Sequence, residues 1–210
     1  MELLILIPTE LERQGICKGS RHEAFPVALS GVGQVAAAAN TARLIRALQP
    51  QAILLMGICG AYEGSGLKPG DLVRVDDCFL ADFGAFDRDG AWLGAQSLGL
   101  GPVRWSASDP ADLPDALADE RERLCALRGV TSASVQSVSG TDALATLRFA
   151  GGSCQIEEME GAGVCAVAAA LGIPVYHVRA VSNRAGLRDR SSWKISEALQ
   201  ALEGWWNTDE

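Results

Sequence analysis

The sequence is poor in histidine, in positive charge and in long apolar runs. It has 2 histidines among 210 residues, and 18 basic residues against 26 acidic ones give a formal net charge of −8. An acidic chain lacks the basic face that displaces counterions from nucleic acid, and the same deficit disfavours binding to an anionic membrane surface. The apolar runs are shorter than the roughly 20 residues that a membrane-spanning helix needs. The apolar start lacks a basic region and is too short for a signal peptide.

Motifs for metal binding and for common hydrolases are missing as well. The six cysteines form no C-x-x-C pair and no cysteine–histidine spacing typical of zinc, and neither G-x-S-x-G nor H-E-x-x-H occurs. His177 falls in an apolar segment, where we expect it to pack in the core. Several cysteines also lie in apolar runs, where cysteine behaves as a small hydrophobe. We therefore expect a cytoplasmic protein without disulfides or a metal site.

Apolar segments alternate with helical ones along the chain. With 48% hydrophobic and 21% charged residues, the composition is that of an ordinary soluble globular domain. The runs 3–7, 25–29 and 52–56 predict buried strands, and the alanine-rich stretch 34–48 predicts a helix. Strands that are apolar throughout are typical of a parallel sheet covered on both faces, so we expect one α/β domain over residues 1–210. Further strands are predicted at 72–75, 134–138 and 175–181, helices at 113–127, 142–149 (capped by Asp142), 161–171 and 192–205, and loops with short strands over 82–114.

Two glycine-rich segments follow predicted strands. Residues 31–36 match the dinucleotide pattern G-x-G-x-x-A, but the acid expected about 20 residues later is missing, because no carboxylate lies between Gln34 and Glu63. The segment instead favours close backbone approach to a polar ligand at a helix N-terminus, with a tight turn as the alternative. Residues 57–60 contain no lysine, serine or threonine, so they do not form a phosphate loop.

Acidic and amide side chains mark three more candidate positions. Glu157, Glu158 and Glu160 precede the apolar helix predicted at 161–171. A carboxylate at this position can cap the helix or accept hydrogen bonds from a sugar diol. Asn183 ends a strand and opens an arginine-rich loop, a place suited to reading a ligand and also to an ordinary turn. Glu12 follows the first strand and is either functional or a plain first-turn acid.

Taken in order, these segments resemble the purine nucleoside phosphorylase superfamily, and most of all its methylthioadenosine/adenosylhomocysteine nucleosidase branch. The resemblance spans nearly the whole chain and is weakest over residues 82–130. It implies a single-domain three-layer α/β/α fold with a mostly parallel, twisted central mixed sheet. It also implies a small-molecule nucleoside substrate, a homodimer or homotetramer, and no cofactor or metal. The resemblance is carried by Glu12 and by residues 30–33, 56–61, 69–71, 158–162 and 179–183.

Two departures from the nucleosidase pattern narrow the expected reaction. The adenine-cleaving nucleosidases have aspartate at the position of Asn183, whose amide instead suits a 6-oxopurine, since its NH₂ can donate to O6 and its carbonyl can accept from N7–H. Phosphate-holding side chains of phosphorylases are replaced by Ile58 and Cys59, which favours water as the nucleophile. Residues 183–190 and 193–195 resemble nucleosidases that release hypoxanthine from a nucleoside with an aromatic carboxylate tail. An adenine-specific nucleosidase, a phosphorylase and a non-catalytic nucleotide-binding domain stay open as alternatives.

The resemblance implies a role for each candidate residue. Glu12 is expected to act as general base on water, Glu160 to accept from the ribose hydroxyls, and Asn183 to stabilise the departing base. Arg184 or Arg188 is expected to bind the tail carboxylate. The whole expected substrate-binding set is Gly33, Ile58, Cys59, Gly60, Val138, Ser139, Gly140, Glu158, Met159 (against the sugar), Arg184 and Arg188, with Phe83 and Phe86 as candidate contacts of a partner subunit that closes the tail pocket.

Overall fold

The computed structural model describes residues 3–19 and 21–207. The first half contains β1 (Leu3–Ile7), α1 (Glu10–Ile16), β2 (Val27–Leu29), α2 (Gln34–Leu48) and β3 (Ala52–Tyr62). The predicted strand, helix and strand of the β-α-β unit are confirmed. However, β3 runs on through residues 57–60 instead of ending before them, because a parallel neighbour pairs with it from Ile53 to Tyr62.

The second half carries the remaining strands and helices. They are β4 (Leu72–Leu80), β5 (Gly84–Phe86), β6 (Trp92–Gly94), β7 (Arg104–Ser106), α3 (Ala118–Ala126), β8 (Arg128–Ser134), α4 (Asp142–Gly152), β9 (Ile156–Glu158), α5 (Gly161–Leu171), β10 (Val175–Ala185) and α6 (Ile195–Asn207). The short strands predicted within 82–114 are confirmed as β5, β6 and β7, and the apolar helix predicted at 161–171 is confirmed as α5.

The strand predicted at 134–138 is wrong, because the strand in this region, β8, ends at Ser134. Its pairing with β4 stops at the pair Leu80–Ser134. Beyond that point the backbone N–H groups of Gln136 and Ser137 donate to the carboxylate of Asp82, at 2.7 and 3.1 Å, instead of to a neighbouring strand. The following residues therefore form a loop, which reaches the functional site described below.

The N-termini of three helices also differ from the prediction. Thr141, and not Asp142, caps α4, since its side chain accepts from the N–H of Leu144. The Asp142 carboxylate is instead bound by Arg184. The helix predicted at 113–127 begins only at Ala118, after two 3₁₀ turns, and that predicted from 192 begins at Ile195 after the 3₁₀ turn Arg190–Ser192.

The sheet is mixed and mostly parallel, as predicted, and it closes on itself. Strand β10 pairs in parallel with β3 and antiparallel with β4. The order β10-β4-β8-β9-β3 therefore forms a ring, which β1 and β2 extend on the side of β3. This closure was not predicted. It brings the carboxyl ends of β3 and β10 next to the end of β9, where the acidic residues lie.

Helices cover the sheet on both sides, which confirms the three-layer architecture. Helices α2 and α5 pack together over one apolar cluster, and α1 and α6 pack over a second. Trp206 of α6 is 1% exposed in the second cluster, and its truncation to alanine would cost about 3–5 kcal/mol. In the described part of the chain, no helix combines the length and the apolar character that spanning a membrane requires.

Candidate active site

Glu12 is a buried carboxylate held from two sides. Thr9 caps α1 by accepting from the N–H of Glu12, and its hydroxyl donates to Oε2 of the same residue at 2.5 Å. On the other side, the backbone N–H of Ile58 in β3 donates to Oε1 at 3.0 Å. Glu12 is only 5% exposed. A first-turn acid that served only the helix dipole would face solvent, as its neighbour Glu10 does.

Arg179 of β10 links the acidic residues at the end of β9 to Ile58, whose backbone N–H binds Glu12. Its guanidinium is 1% exposed and donates from Nη2 to Glu160 at 3.1 Å and from Nη1 to the carbonyl of Ile58 at 3.2 Å. A Cβ atom at Gly57 would lie 2.5 Å from Nη1 of Arg179 and 2.9 Å from Oε1 of Glu12. Only glycine at this position leaves room for the guanidinium and the carboxylate side by side.

Glu160 is the second buried carboxylate at the site. Its Oε1 accepts from the N–H of Gly33 at 3.1 Å, and its Oε2 accepts from Arg179. Gly33 has φ +85°, a conformation that glycine adopts readily, and this turn aims its N–H at the carboxylate. Burial raises the pKa of Glu160 to about 7, with a further rise from the nearby charge of Glu158, although the positive charge of Arg179 opposes the shift.

Glu158 has a different environment from Glu160, because more donors of the chain bind its carboxylate. It lies at the end of β9, is buried, and binds the first N–H groups of α5, so the capping role that the sequence left open falls to this residue. Its pKa is lowered: the Arg179 charge and the hydrogen bonds outweigh burial, which alone would raise it. The donors to its carboxylate are the hydroxyls of Ser132 and Ser134, the N–H groups of Glu160 and Gly161, and Nη2 of Arg179.

Asn183 lines a small cavity at the carboxyl ends of β3 and β10. Its Oδ1 accepts from the hydroxyl of Ser182 at 2.8 Å, and its Nδ2 donates to the carbonyl of Arg184 at 2.9 Å. Six residues that the sequence singled out, Asn183 among them, meet here although they come from three separate segments. The lining residues are Gly60, Val138, Ser139, Glu157, Asn183, Arg184, Gly186, Leu187, Arg188 and Trp193.

The loop after β8 is anchored to the cavity by Glu157. This buried carboxylate accepts from the N–H and the hydroxyl of Ser139, at 2.9 and 2.6 Å, and from the hydroxyl of Tyr62. Arg148 of α4 lies against the same carboxylate at 3.4 Å and donates to the carbonyl of Ser137 at 2.8 Å. The loop is therefore held by a buried ion pair. Glu157 is the third of the acids before α5, for which a helix cap or a sugar acceptor was expected, whereas no role was expected for Arg148.

The two arginines expected at the substrate tail differ in their partners. Arg184 is already paired with Glu63 at 2.6 Å and with Asp142 at 2.7 Å. Arg188 lies over the ring of Trp193, at 5.6 Å from its centroid, and makes no ion pair within the described residues. Of the two, Arg188 is the one whose charge is available to an anion at the cavity.

Several expected residues lie away from this cavity. The side chain of Cys59 is buried in the core, where burial raises the pKa of its thiol to about 12, and that of Ile58 packs against the opposite cluster. Gly140 follows the cavity loop without lining the cavity, and Met159 packs beside the cluster around Tyr62. Among the described residues, no group of three histidine, cysteine or acidic side chains is placed to hold a metal ion.

Comparison with known proteins agrees with the fold. Residues 23–204 match the family model described as the Phosphorylase superfamily. A futalosine hydrolase of Streptomyces coelicolor is 38% identical over 92% of this chain and 82% of that protein, and one of Thermus thermophilus is 35% identical over 95% and 91%. The solved structure of a futalosine hydrolase mutant of Helicobacter pylori superposes with a TM-score of 0.76, at 20% identity, over 98% of this chain and 96% of that one.

The chain belongs to the phosphorylase superfamily and, within it, to the futalosine hydrolases. It is therefore an enzyme that hydrolyses N-glycosyl bonds, as the sequence predicted. The predicted resemblance to the nucleosidases is confirmed in the same way. The roles of the individual site residues stay predictions.

Proposed function

We propose that the chain hydrolyses the N-ribosidic bond of futalosine and releases hypoxanthine and dehypoxanthine futalosine. The observation that carries this proposal is the presence of one cavity amide and two buried carboxylates. Asn183 lines the cavity, Glu160 accepts from Arg179, and Glu12 accepts from the N–H of Ile58, whose carbonyl also accepts from Arg179. This is the set that removal of a 6-oxopurine from a ribose requires: a base for water, an acceptor for the sugar, and an amide for the leaving group.

Glu12 activates the attacking water. Its carboxylate accepts the proton as the water oxygen bonds to C1′ of the ribose and the bond from C1′ to N9 of the base breaks. The hydrogen bonds from Thr9 and Ile58 hold the carboxylate in one orientation, so little reorganisation is needed when the reaction occurs. Because the side chains of Ile58 and Cys59 pack in the core, they offer no donors to a phosphate, which supports water over phosphate as the nucleophile.

Glu160 binds the ribose through its hydroxyl groups. A carboxylate that accepts from these hydroxyls stabilises the positive charge that develops on the ring, as at the sugar 2-OH of glycosidases. Glu160 must be ionised to accept hydrogen bonds from both hydroxyls. Because its pKa is raised to about 7, this ionised form predominates only above that pH. Met159 is the side chain that we place against the sugar face, and Glu158 supports Glu160 by fixing Arg179 and the start of α5.

Asn183 stabilises the departing hypoxanthine. Its NH₂ donates to O6 and its carbonyl accepts from N7–H, after N7 has gained a proton from solvent. Adenine carries an amino group at position 6, so the donor of Asn183 would meet a donor, and an unpaired polar group in a closed site is costly. Val138 and Ser139 line the cavity together with Gly60, and we place the base against them.

The aromatic carboxylate tail is placed at Trp193 and Arg188. The ring of Trp193 lines the cavity and offers a face for stacking, and the guanidinium of Arg188 lies over that ring. Arg184 instead ties the loop after β10 to Asp142 at the start of α4. We therefore assign the tail carboxylate to Arg188.

We also propose that the enzyme is a cytoplasmic homodimer or homotetramer that acts in menaquinone biosynthesis. Phe83 and Phe86 are 46% and 71% exposed and line an apolar groove of about 970 Å³, which supports their role as contacts of a second subunit. The six cysteines are all free, as is typical of a reducing compartment. Sedimentation of the purified protein tests the assembly.

The experiment for the reaction is a single-substrate incubation. Purified protein is mixed with futalosine in phosphate-free buffer, and free base is followed by chromatography. We expect hypoxanthine and dehypoxanthine futalosine in equal amounts, and the absence of hypoxanthine would contradict the proposal.

A further inference from the structure

His177 is a buried histidine that the proposed reaction does not use. It lies in β10, two residues before Arg179, and is 0% exposed. Its Nε2 atom accepts a hydrogen bond of 2.7 Å from Nε of Arg179. Burial, together with the charge of Arg179, lowers the pKa of His177 to about 3, so the imidazole is neutral near pH 7. Since Nε2 is the acceptor, the proton of the neutral ring is on Nδ1.

The other ring nitrogen of His177 makes no hydrogen bond that would explain why a histidine occupies this buried position. Nδ1 is buried and has no hydrogen-bond partner among the described residues. A buried N–H without a partner is destabilising, so an apolar residue here would be less costly for folding alone. The ring also needs space that the chain provides specifically, because a Cβ atom at Gly161 would lie 2.8 Å from Cε1 of His177.

The bond to His177 completes the set of acceptors around Arg179. Nη1 donates to the carbonyl of Ile58, and Nη2 donates to both Glu158 and Glu160. The guanidinium is planar and rigid, so an acceptor at Nε fixes the plane in which the two Nη groups lie. Without that acceptor the plane can turn, and Nη2 would move relative to Glu160.

We infer that His177 is a positioning residue for the hydrolysis, which acts by holding the guanidinium of Arg179 against the proposed ribose acceptor, Glu160, and against Ile58, which binds the proposed base, Glu12. The inference rests on the proposed function for its chemical readout. The inference requires that a substitution of His177 affect the ribose side of the site and leave the base cavity unchanged. His177 does not line the base cavity at Asn183, which lies six residues further along β10, so binding of the free base should not depend on His177.

The test compares two substitutions of His177 with a neighbour in the same strand. H177L removes the acceptor, whereas H177Q keeps an acceptor near the position of Nε2. V178A changes the next residue, which is also 0% exposed but packs in the apolar cluster under α6. We expect H177L to lower kcat/KM about 10- to 100-fold, the effect of losing one hydrogen bond to a charged group. H177Q should recover to within about threefold of wild type, and V178A should lower the melting temperature without changing kcat/KM.

Affinity for free hypoxanthine, measured by calorimetry, separates positioning from general damage. We expect it to stay within about twofold of wild type in H177L. Equal losses of hypoxanthine affinity and of turnover, or equal effects of H177L and H177Q, would overturn the inference. Kinetics are measured with futalosine, inosine and methylthioadenosine, and whichever nucleoside the wild type cleaves reports on His177. A wrong substrate assignment therefore gives a different result from a wrong role for His177.

A spectroscopic measurement on the wild-type enzyme covers the case in which H177L does not fold. Nitrogen NMR of the imidazole should show a neutral ring at pH 7, protonated on Nδ1 and unprotonated on Nε2. A ring protonated on Nε2 would show that it accepts nothing from Arg179, and the inference would be wrong.

Discussion

Glu158 and Glu160 accept hydrogen bonds from the same nitrogen of Arg179, at 2.8 and 3.1 Å, yet their pKa values shift in opposite directions. Burial raises the pKa of both carboxyls and Arg179 lowers both. The difference comes from the other neighbours, since Ser132, Ser134 and two backbone N–H groups also bind Glu158, whereas Gly33 is the further donor to Glu160 and the charge of Glu158 raises the pKa of Glu160. Glu158 is thus fixed as an ionised structural partner, whereas Glu160 loses its proton only near pH 7.

The raised pKa of Glu160 predicts a pH-dependent stability. Its pKa is about 7 in the folded chain against an ordinary value of 4.5, so the folded state binds the proton more tightly than the unfolded state. Its contribution to the free energy of unfolding is therefore largest below pH 4.5 and is lost as the pH rises to 7. The substitution E160Q mimics the protonated form. When the pH is raised from 5 to 8, the free energy of unfolding of E160Q should increase relative to that of wild type by about 3 kcal/mol.

Urea unfolding of the two proteins at both pH values measures this difference. E63Q is the matched control, because Glu63 is an exposed carboxyl and its pairing with Arg184 lies on the surface. A difference between E160Q and wild type that does not change with pH would show that the pKa of Glu160 is not raised.

The role of Glu12 predicts a separation of turnover from product binding. E12Q removes the base but keeps an acceptor for the N–H of Ile58, so the local structure should persist. We expect kcat to fall about 10²- to 10⁴-fold, the usual contribution of a general base, with hypoxanthine affinity within twofold of wild type. E10Q, on the exposed face of the same helix, should have wild-type kinetics. Retained turnover in E12Q would remove Glu12 as the base.

Asn183 predicts a change of specificity when it becomes an acid. In N183D a carboxylate faces O6 of hypoxanthine, and the donor to that oxygen is lost. We expect kcat/KM for the hypoxanthine nucleoside to fall about 10²- to 10³-fold, the scale seen when one donor to a developing charge is removed. Cleavage of methylthioadenosine should rise at the same time, because a protonated aspartate can donate to N7 of adenine. Unchanged preference would show that Asn183 does not read the base.

Because the tail carboxylate is assigned to Arg188, substitutions of Arg188 and of Arg184 should change the kinetics in different ways. R188A removes the cation over Trp193, so KM for futalosine should rise about tenfold while the kinetics of a tail-less nucleoside such as inosine stay unchanged. R184A breaks the contacts with Glu63 and Asp142 and should affect both nucleosides by the same factor. The reverse pattern, a tail-specific effect in R184A alone, would move the tail site to Arg184.

Much of the fold could be predicted because apolar runs and helix periodicity are local signals. The helix α2 and the strand after it were predicted from alanine content and a following proline. The loop after β8 was not, because Asp82, 54 residues earlier than Gln136, takes its N–H group away from the sheet. The extension of β3 through Gly57 was missed for the same kind of reason, since it depends on a partner strand distant in sequence.

The residues of the candidate site were predicted individually, but the contacts that join them were not. Asn183 and Glu12 stood out because they follow apolar strands, and Glu160 stood out because it precedes an apolar helix. Arg179 links Glu160 to Ile58, which binds Glu12, and these partners of Arg179 lie 19 and 121 residues away in the sequence. His177 was expected to be an ordinary core residue, and its burial is confirmed. Its contact with Arg179 could have been suspected from the i, i+2 spacing, which places both side chains on one face of a strand.

The most direct test of the account is the rate of base release from three nucleosides. Futalosine, inosine and methylthioadenosine are compared with purified enzyme in phosphate-free buffer and again with added phosphate. We predict that futalosine has the highest kcat/KM, that hypoxanthine is the base released, and that phosphate changes neither result. Preferred release of adenine from methylthioadenosine, or turnover only with phosphate, would contradict the account.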